Sequence, residues 1–164
     1  MKPLIFSVDV VMERIPLASR WADWSWQPSA VVPLGEGALA PGDPVCAADG
    51  AVWRFPRMPI ELHPSEAEGY YLNLTSDTPV VFVMWRHDDG GGACAACPQI
   101  VTLSYNQAGR LMDGGERVDT VAMPEPIRTW LAAFVAEHYK PEPKRKVRRN
   151  DPFADDPLRE KRGR

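Results

Sequence analysis

The chain has 164 residues, of which 45% are hydrophobic and 25% charged, and its net charge is −3. This is the composition of a globular protein large enough for one hydrophobic core. The longest apolar runs, residues 80–85 and 130–136, are far shorter than the roughly 20 residues of a membrane-spanning helix. We therefore expect one domain over residues 1–139 that does not span a membrane and resides in the cytoplasm.

Segments that favour β-strands dominate the chain up to residue 104. They are rich in β-branched and aromatic residues and are separated by Gly, Pro, Asp and Asn; they cover residues 5–12, 26–32, 51–55, 59–63, 69–75, 80–86 and 99–104. Because no helix is predicted between them, neighbouring strands are expected to be antiparallel. Tyr70, Leu72 and Leu74 alternate with polar Asn73, which predicts a strand with one apolar face. Residues 80–85 do not alternate, which predicts a central strand covered on both sides.

A short helix and one more strand are predicted next. Ser104 and Gln107 have the spacing of a capping box, and Gly114 is a natural helix stop, so residues 105–113 are predicted to be helical. Residues 117–122 follow as a candidate last strand.

A second helix is predicted over residues 124–139. Its apolar residues recur at helical spacing and form one stripe: Ile127, Trp130, Leu131, Phe134, Val135 and His138. The expected fold is therefore mainly β, in the α+β class. We expect an antiparallel curved sheet or small barrel with one short helix and a C-terminal amphipathic helix.

An aromatic block near the start of the chain combines three of the six tryptophans, Trp21, Trp24 and Trp26, with the charged residues Arg20 and Asp23. One interpretation is an exposed surface for a partner, formed by Arg20, Trp21 and Trp24, with Arg20 over a ring. The other interpretation is structural: the three rings complete the core, and Arg20 and Glu13 or Asp23 pair at the sheet edge. Both interpretations remain open at this stage.

Cys94 and Cys97 form a single Cys-x-x-Cys pair in a glycine-rich stretch between two predicted strands. Structural zinc sites use four ligands, and thioredoxin-like pairs begin a helix, so a hairpin loop is favoured over a metal or redox site. In a reducing compartment the three cysteines are expected to be thiols or metal ligands.

Three carboxylates surround one histidine in a nearby segment: Glu61, His63, Glu66 and Glu68. We interpret this cluster as a solvated rim rather than an acid–base or metal site. The sequence contains no nucleophile elbow, zinc-binding helix motif or dinucleotide fingerprint. An enzyme is therefore disfavoured, and no cofactor is predicted.

The C-terminal segment differs from the rest in charge. Residues 1–139 contain 9 Lys or Arg and 17 Asp or Glu, a net charge of −8, whereas residues 140–164 contain 10 and 5, a net charge of +5. The segment is predicted to be a disordered basic tail. It carries a basic cluster that is suited to nucleic acid, an acidic partner or the acidic domain itself, and two apolar docking anchors. These candidate residues are Lys144, Arg145, Lys146, Arg148 and Arg149, and Phe153 and Leu158.

Three groups of residues resemble a family of short proteobacterial proteins known only as a domain of unknown function, the 3305 family. The groups are Glu13, Arg14, Pro16, Leu17, Arg20 and Trp21; Leu62, Glu66, Tyr70, Asn73, Leu74 and Ser76; and Met123, Pro124, Trp130, Phe134, Val135 and His138. The resemblance spans residues 4–139 and brings no catalytic residue. It implies a context, because similar proteins tend to be encoded beside formate dehydrogenase and molybdenum cofactor maturation functions.

The sequence therefore predicts a non-enzymatic cytoplasmic accessory or adaptor protein that binds a protein partner. A role in formate dehydrogenase maturation is what the resemblance alone implies. Two alternatives come from other classes. One is a nucleic-acid-binding module that uses the tail, and the other is a small metal or redox protein that uses Cys94 and Cys97.

Overall fold

A computed structural model describes residues 4–35, 39–88 and 95–141 of the chain. Its strands and helices, in chain order, are β1 Leu4–Pro16, β2 Trp24–Pro33, β3 Val45–Cys46, β4 Val52–Leu62, a short 3-10 helix Pro64–Glu66, α1 Ala67–Leu74, β5 Val80–His87, β6 Ala96–Thr102, α2 Tyr105–Asp113, β7 Arg117–Ala122 and α3 Glu125–His138. No helix in these described ranges has the length and apolar composition needed to cross a membrane.

The strands form one mixed, mostly antiparallel sheet that is nearly closed into a barrel. Their order is β2-β1-β4-β6-β5-β7, and the short β3 pairs with β4. The predicted α+β class and the antiparallel neighbours are confirmed, with one exception. β4 and β6 pair in parallel at Ile60 and Val101, because α1 and β5 lie between them in the chain and return it to the same end.

The core lies inside this curved sheet. Alternate residues of β1 (Val8, Val10 and Met12) and of β5 (Val81, Val83 and Trp85) point into it. The opposite face of β5 is also covered, since Phe82 and Met84 are buried. The prediction that residues 80–86 form a central, doubly covered strand is therefore confirmed.

The helix α3 packs on the core with the predicted stripe. Ile127, Leu131, Phe134 and Val135 are buried, and Trp130 packs partly buried with its ring centroid 5.1 Å from that of Phe6 in β1. The predicted short helix is also confirmed. It is α2, whose first turn is capped by Ser104 Oγ, which accepts a 3.0 Å hydrogen bond from the backbone N–H of Gln107. The predicted strand at residues 117–122 is β7.

The predicted strand at residues 69–75 is wrong, because this segment forms the helix α1. Residues 67, 70 and 73 share one helical face, and Tyr70 and Asn73 are both buried, although the alternating pattern had placed them on opposite faces. The Asn73 amide donates to the carbonyl oxygens of Val80 and Leu103, at 2.7 and 2.8 Å. Asn73 is therefore an internal connector between α1, β5 and the end of β6.

Segments 51–55 and 59–63 were predicted as separate strands but form a single strand, β4. Pro56 and Arg57 form a bulge opposite Asp9 of β1, and Arg57 takes a positive φ of 58°. Asp9 is fully buried beneath this bulge. Its carboxylate accepts hydrogen bonds from the backbone N–H groups of Leu39 and Arg57, at 2.7 and 3.1 Å, and from Arg54 Nε at 3.0 Å. No sequence motif marks Asp9 as a buried charge.

Candidate partner-binding surface

The hairpin of β1 and β2 presents two tryptophans to solvent at its tip. The last pair of the strand ladder joins Pro16 and Trp24, and residues 17–23 connect the two strands. Leu17 N–H donates to the Asp23 carbonyl at 2.9 Å, and Trp21 N–H donates to Ser19 Oγ at 3.2 Å. These two hydrogen bonds hold the connection in a defined turn. Trp21 is 93% exposed and Trp24 is 49% exposed.

Arg14 of β1 is the cation that covers a ring in this hairpin. Its guanidinium carbon lies 4.1 Å from the ring centroid of Trp24. A cation–π contact of this kind contributes about 0.5 to 1 kcal/mol at an exposed site. The prediction that Arg20 covers a ring is wrong: Arg20 is exposed and contacts neither an aromatic ring nor a carboxylate among the residues that the structure describes.

The three tryptophans of the block have different environments. Trp26 packs partly buried against the core, as the structural interpretation expected. Trp21 and Trp24 do not complete the core, so that interpretation is wrong for them. We call the side chains of Leu17, Trp21 and Trp24 the hairpin tip; all three are exposed.

The cluster around His63 does not converge on one site. Glu61 and His63 form a pair, with Oε2 and Nε2 3.3 Å apart, on the rim of a shallow cavity of about 240 Å³ that Gln99 and Gln107 also line. Both side chains are about half exposed, and Glu68 is exposed, as expected for a solvated rim.

Glu66 departs from this prediction. Its carboxylate accepts a 2.6 Å hydrogen bond from the buried Ser104 hydroxyl and forms an ion pair with Arg110. Glu66 therefore ties the start of α1 to α2. Within the described ranges, no group of three or more His, Cys, Asp or Glu side chains is arranged to hold a metal ion.

The Cys-x-x-Cys pair lies only partly in the described structure. β5 ends before residues 88–95 and β6 begins after them, and the two strands pair antiparallel, as the hairpin prediction requires. Cys94 lies outside the described residues, whereas Cys97 lies in β6 and is disulfide-bonded, which corrects the expectation that all cysteines are thiols or metal ligands. Cys46 is an exposed free thiol.

All candidate residues of the tail, from Lys144 to Leu158, lie outside the described residues. The structure does place the point at which the chain enters the tail. α3 ends at His138, and the next residue, Tyr139, stacks on Tyr71 of α1 with ring centroids 4.3 Å apart.

An apolar groove beside α1 was not identified from the sequence. It has a volume of about 560 Å³ and is lined mainly by α1, β5, β7 and α2, through residues that include Leu72, Val80, Phe82, Tyr105 and Thr120. No sequence signal marks the groove, because the alternating pattern of residues 69–75 predicts a strand in which Leu72 shares one face with Tyr70 and Leu74. Leu72 and Tyr105 are in fact 43% and 59% exposed at the groove.

The chain was compared with protein-family models, curated proteins and solved structures. A family model described as "Protein of unknown function (DUF3305)" matches residues 7–148. No curated protein matches the chain, and no solved structure matches it.

Proposed function

Because the chain belongs to the DUF3305 family, whose description assigns no activity, we propose a function from the geometry of the hairpin tip. The protein is a non-enzymatic accessory protein that binds a protein partner through Leu17, Trp21 and Trp24. The observation that carries this proposal is Trp21, which is 93% exposed in a turn closed by two hydrogen bonds.

An exposed tryptophan at a defined position is suited to protein recognition. Tryptophan is among the residues most enriched in interface hot spots, since a large rigid ring buries much apolar area with few rotatable bonds. The hydrogen bonds from Leu17 to Asp23 and from Trp21 to Ser19 fix the turn before binding. Binding then orders less of the chain, which lowers its entropic cost.

The Arg14 contact supports the same surface. Arg14 lies over Trp24, and its Nε is buried without a hydrogen-bond partner in the described part of the chain. The guanidinium therefore holds the Trp24 ring and also has a donor without a protein acceptor. Because that Nε is shielded from solvent, it is not offered to a partner, and the contribution of Arg14 to this surface is to hold the Trp24 ring in place.

The cellular setting of this proposal comes from the family resemblance. Similar proteins tend to be encoded beside formate dehydrogenase and molybdenum cofactor maturation functions, so we place the partner among the proteins of molybdoenzyme maturation. We propose the cytoplasm as the compartment.

The test is capture by the full chain from native extract, compared with two variants. Trp21→Ala removes the most exposed ring of the hairpin tip. Met112→Ala is the matched control, because Met112 is an exposed apolar residue on α2, away from the hairpin. We expect a protein that wild type and Met112→Ala capture and Trp21→Ala loses. With that protein purified, Trp21→Ala should raise the dissociation constant by roughly 30-fold or more. This corresponds to a loss of about 2 kcal/mol of binding free energy, as expected for a hot-spot residue.

Two outcomes contradict the proposal. If Trp21→Ala captures the same proteins with the same affinity, the hairpin tip is not the binding surface. If the captured material is nucleic acid and its retention falls steeply with salt, the alternative of a nucleic-acid-binding module that uses the basic tail is favoured instead.

A further inference from the structure

The groove beside α1 is an apolar surface without a cover in the described part of the chain. Leu72 from α1 and Tyr105 from α2 form its exposed walls, and Val80 and Phe82 of β5 lie between them. The Tyr105 and Phe82 rings meet edge to face, with centroids 6.3 Å apart. Exposed apolar side chains around a concave surface are typical of a site that takes an apolar anchor from another segment.

The tail begins next to this groove. Tyr139 stacks on Tyr71, the residue that precedes Leu72 in α1, and Pro141 is the last residue described. Phe153 lies 12 residues beyond Pro141. Twelve residues of polypeptide span about 20 Å as a random coil and at most about 40 Å when fully extended. Since α1 has eight residues and is only about 12 Å long, Phe153 can reach the groove without displacing any element.

The charges along this route are complementary. Residues 140–164 contain 10 Lys or Arg and 5 Asp or Glu, whereas residues 1–139 contain 9 and 17. Glu68 is exposed on α1 one turn before Leu72, and Asp77 is exposed in the loop between the groove residues Ser76 and Thr78. In the sequence, the basic cluster at residues 144–149 lies between the start of the tail and Phe153, so a tail that reaches the groove would bring the cluster towards these carboxylates.

We propose that the groove is an intramolecular docking site for the tail of this chain, with Phe153 seated against Phe82 and Tyr105 and with Leu158 as a second anchor. The tether keeps the tail at a high effective concentration near the groove, so a small apolar contact is sufficient for docking. In the docked state the basic cluster lies against the acidic domain. Nucleic acid and acidic partners then reach the cluster only after the tail is released.

The test uses the full chain in solution and compares NMR spectra of wild type with the double variant Phe153→Ala/Leu158→Ala. Val147→Ala is the matched control, because it removes an apolar side chain from the same tail. We expect the double variant to shift the signals of Leu72, Val80 and Phe82, and Val147→Ala to leave them in place. The shifts should not depend on protein concentration.

A change on the groove side gives an independent measurement. Thr120→Arg places a bulky charge at an exposed position of the groove, and Thr129→Arg places one on α3 as the control. We expect Thr120→Arg, but not Thr129→Arg, to shift the signals of Phe153 and Leu158. If every difference in both experiments stays within the mutated segment, the tail does not dock and the proposal is wrong. Shifts that grow with protein concentration overturn it also, because the occupant is then the tail of a second copy.

Discussion

At the scale of single residues, Asp9 is a fully buried charge, and among the residues that the structure describes no other charged side chain is buried. Burial alone raises the pKa of this carboxyl, but the N–H groups of Leu39 and Arg57 and the Arg54 guanidinium outweigh burial and lower it below 3.8. The ionised form is therefore the one that the fold stabilises. It joins β1, the bulge in β4 and the segment at Leu39, three parts of the chain that are distant in sequence.

We predict that Asp9→Asn destabilises the protein by about 3 to 5 kcal/mol at neutral pH, since removing one member of a buried ion pair leaves the donors facing it unsatisfied. The matched control is Asp43→Asn at an exposed position, which should change stability by less than about 0.5 kcal/mol. Urea unfolding measures both values. Equal stabilities for the two variants would show that the Asp9 contacts contribute nothing.

The difference in stability between wild type and Asp9→Asn should depend on pH in a direction that follows from the pKa of Asp9. Because the folded-state pKa of Asp9 lies below its unfolded value of 3.8, its contribution is complete above that pH and is lost as the pH falls through the folded-state pKa. The stability gap between wild type and Asp9→Asn should therefore narrow in acid and stay constant above about pH 5.

The residues of the hairpin tip show what sequence reasoning can and cannot find. The aromatic block identifies the right segment, because three tryptophans in six positions are conspicuous. It does not separate Trp24 from Trp26, which share a strand face. Trp24 belongs to the last pair of the ladder, where the core ends, whereas Trp26 lies two residues further in. Exposure here depends on where β1 and β2 end, which no local pattern encodes.

At the scale of elements, local signals predict some segments well. The cap of α2, the apolar stripe of α3 and the continuous apolar run of β5 are local, and each of these elements is confirmed. α1 is different, because its Tyr70, Tyr71 and Leu72 are also common in strands. What favours the helix is distant: Asn73 bonds to Val80 and Leu103, and Gly69 lies against Ser104. These partners come next to α1 only when the chain has folded, so the local sequence cannot reveal them.

Gly69 gives a test of the contact between α1 and α2. A Cβ at this position would overlap the Ser104 hydroxyl, which caps α2 and binds Glu66, so we predict that Gly69→Ala destabilises the protein by about 1 to 3 kcal/mol. The matched control is Gly109→Ala inside α2, where a Cβ meets no atom within 4 Å. That change should instead stabilise the protein by about 0.5 to 1 kcal/mol, because alanine is the better helix former.

Thermal unfolding with circular dichroism distinguishes these two opposite effects. Stabilisation by both substitutions would mean that Ser104 moves aside at little cost. The close contact between Gly69 and Ser104 would then not contribute to the stability of the protein.

At the scale of the whole molecule, the barrel stays open along a seam between β2 and β7, the two ends of the strand order. Both strands approach each other there, but β2 carries Pro28 and Pro33, and proline has no N–H to donate to a strand ladder. The prolines also protect this edge from pairing with other chains. The openness of the barrel is thus a property of the β2 sequence.

The core of the molecule is complete without the tail. Within the described residues, the buried side chains nearest the C-terminal end belong to α3, and none follows between α3 and Pro141. They are Ile127, Leu131, Phe134 and Val135. We therefore predict that deleting residues 142–164 leaves the circular dichroism spectrum unchanged. If the tail is docked about nine-tenths of the time, docking adds about 1.4 kcal/mol to the stability of the folded state, so the deletion should lower the free energy of unfolding by no more than that.

The control for this deletion is a longer deletion that starts at residue 125 and therefore also removes α3. It should unfold the protein, because it exposes the core face that α3 covers. If the shorter deletion unfolds the protein as well, then the tail is part of the core, and docking in the groove cannot be a reversible step. If instead the shorter deletion leaves stability unchanged to within about 0.2 kcal/mol, the docked fraction is less than about one third, and the groove is mostly open in the free protein.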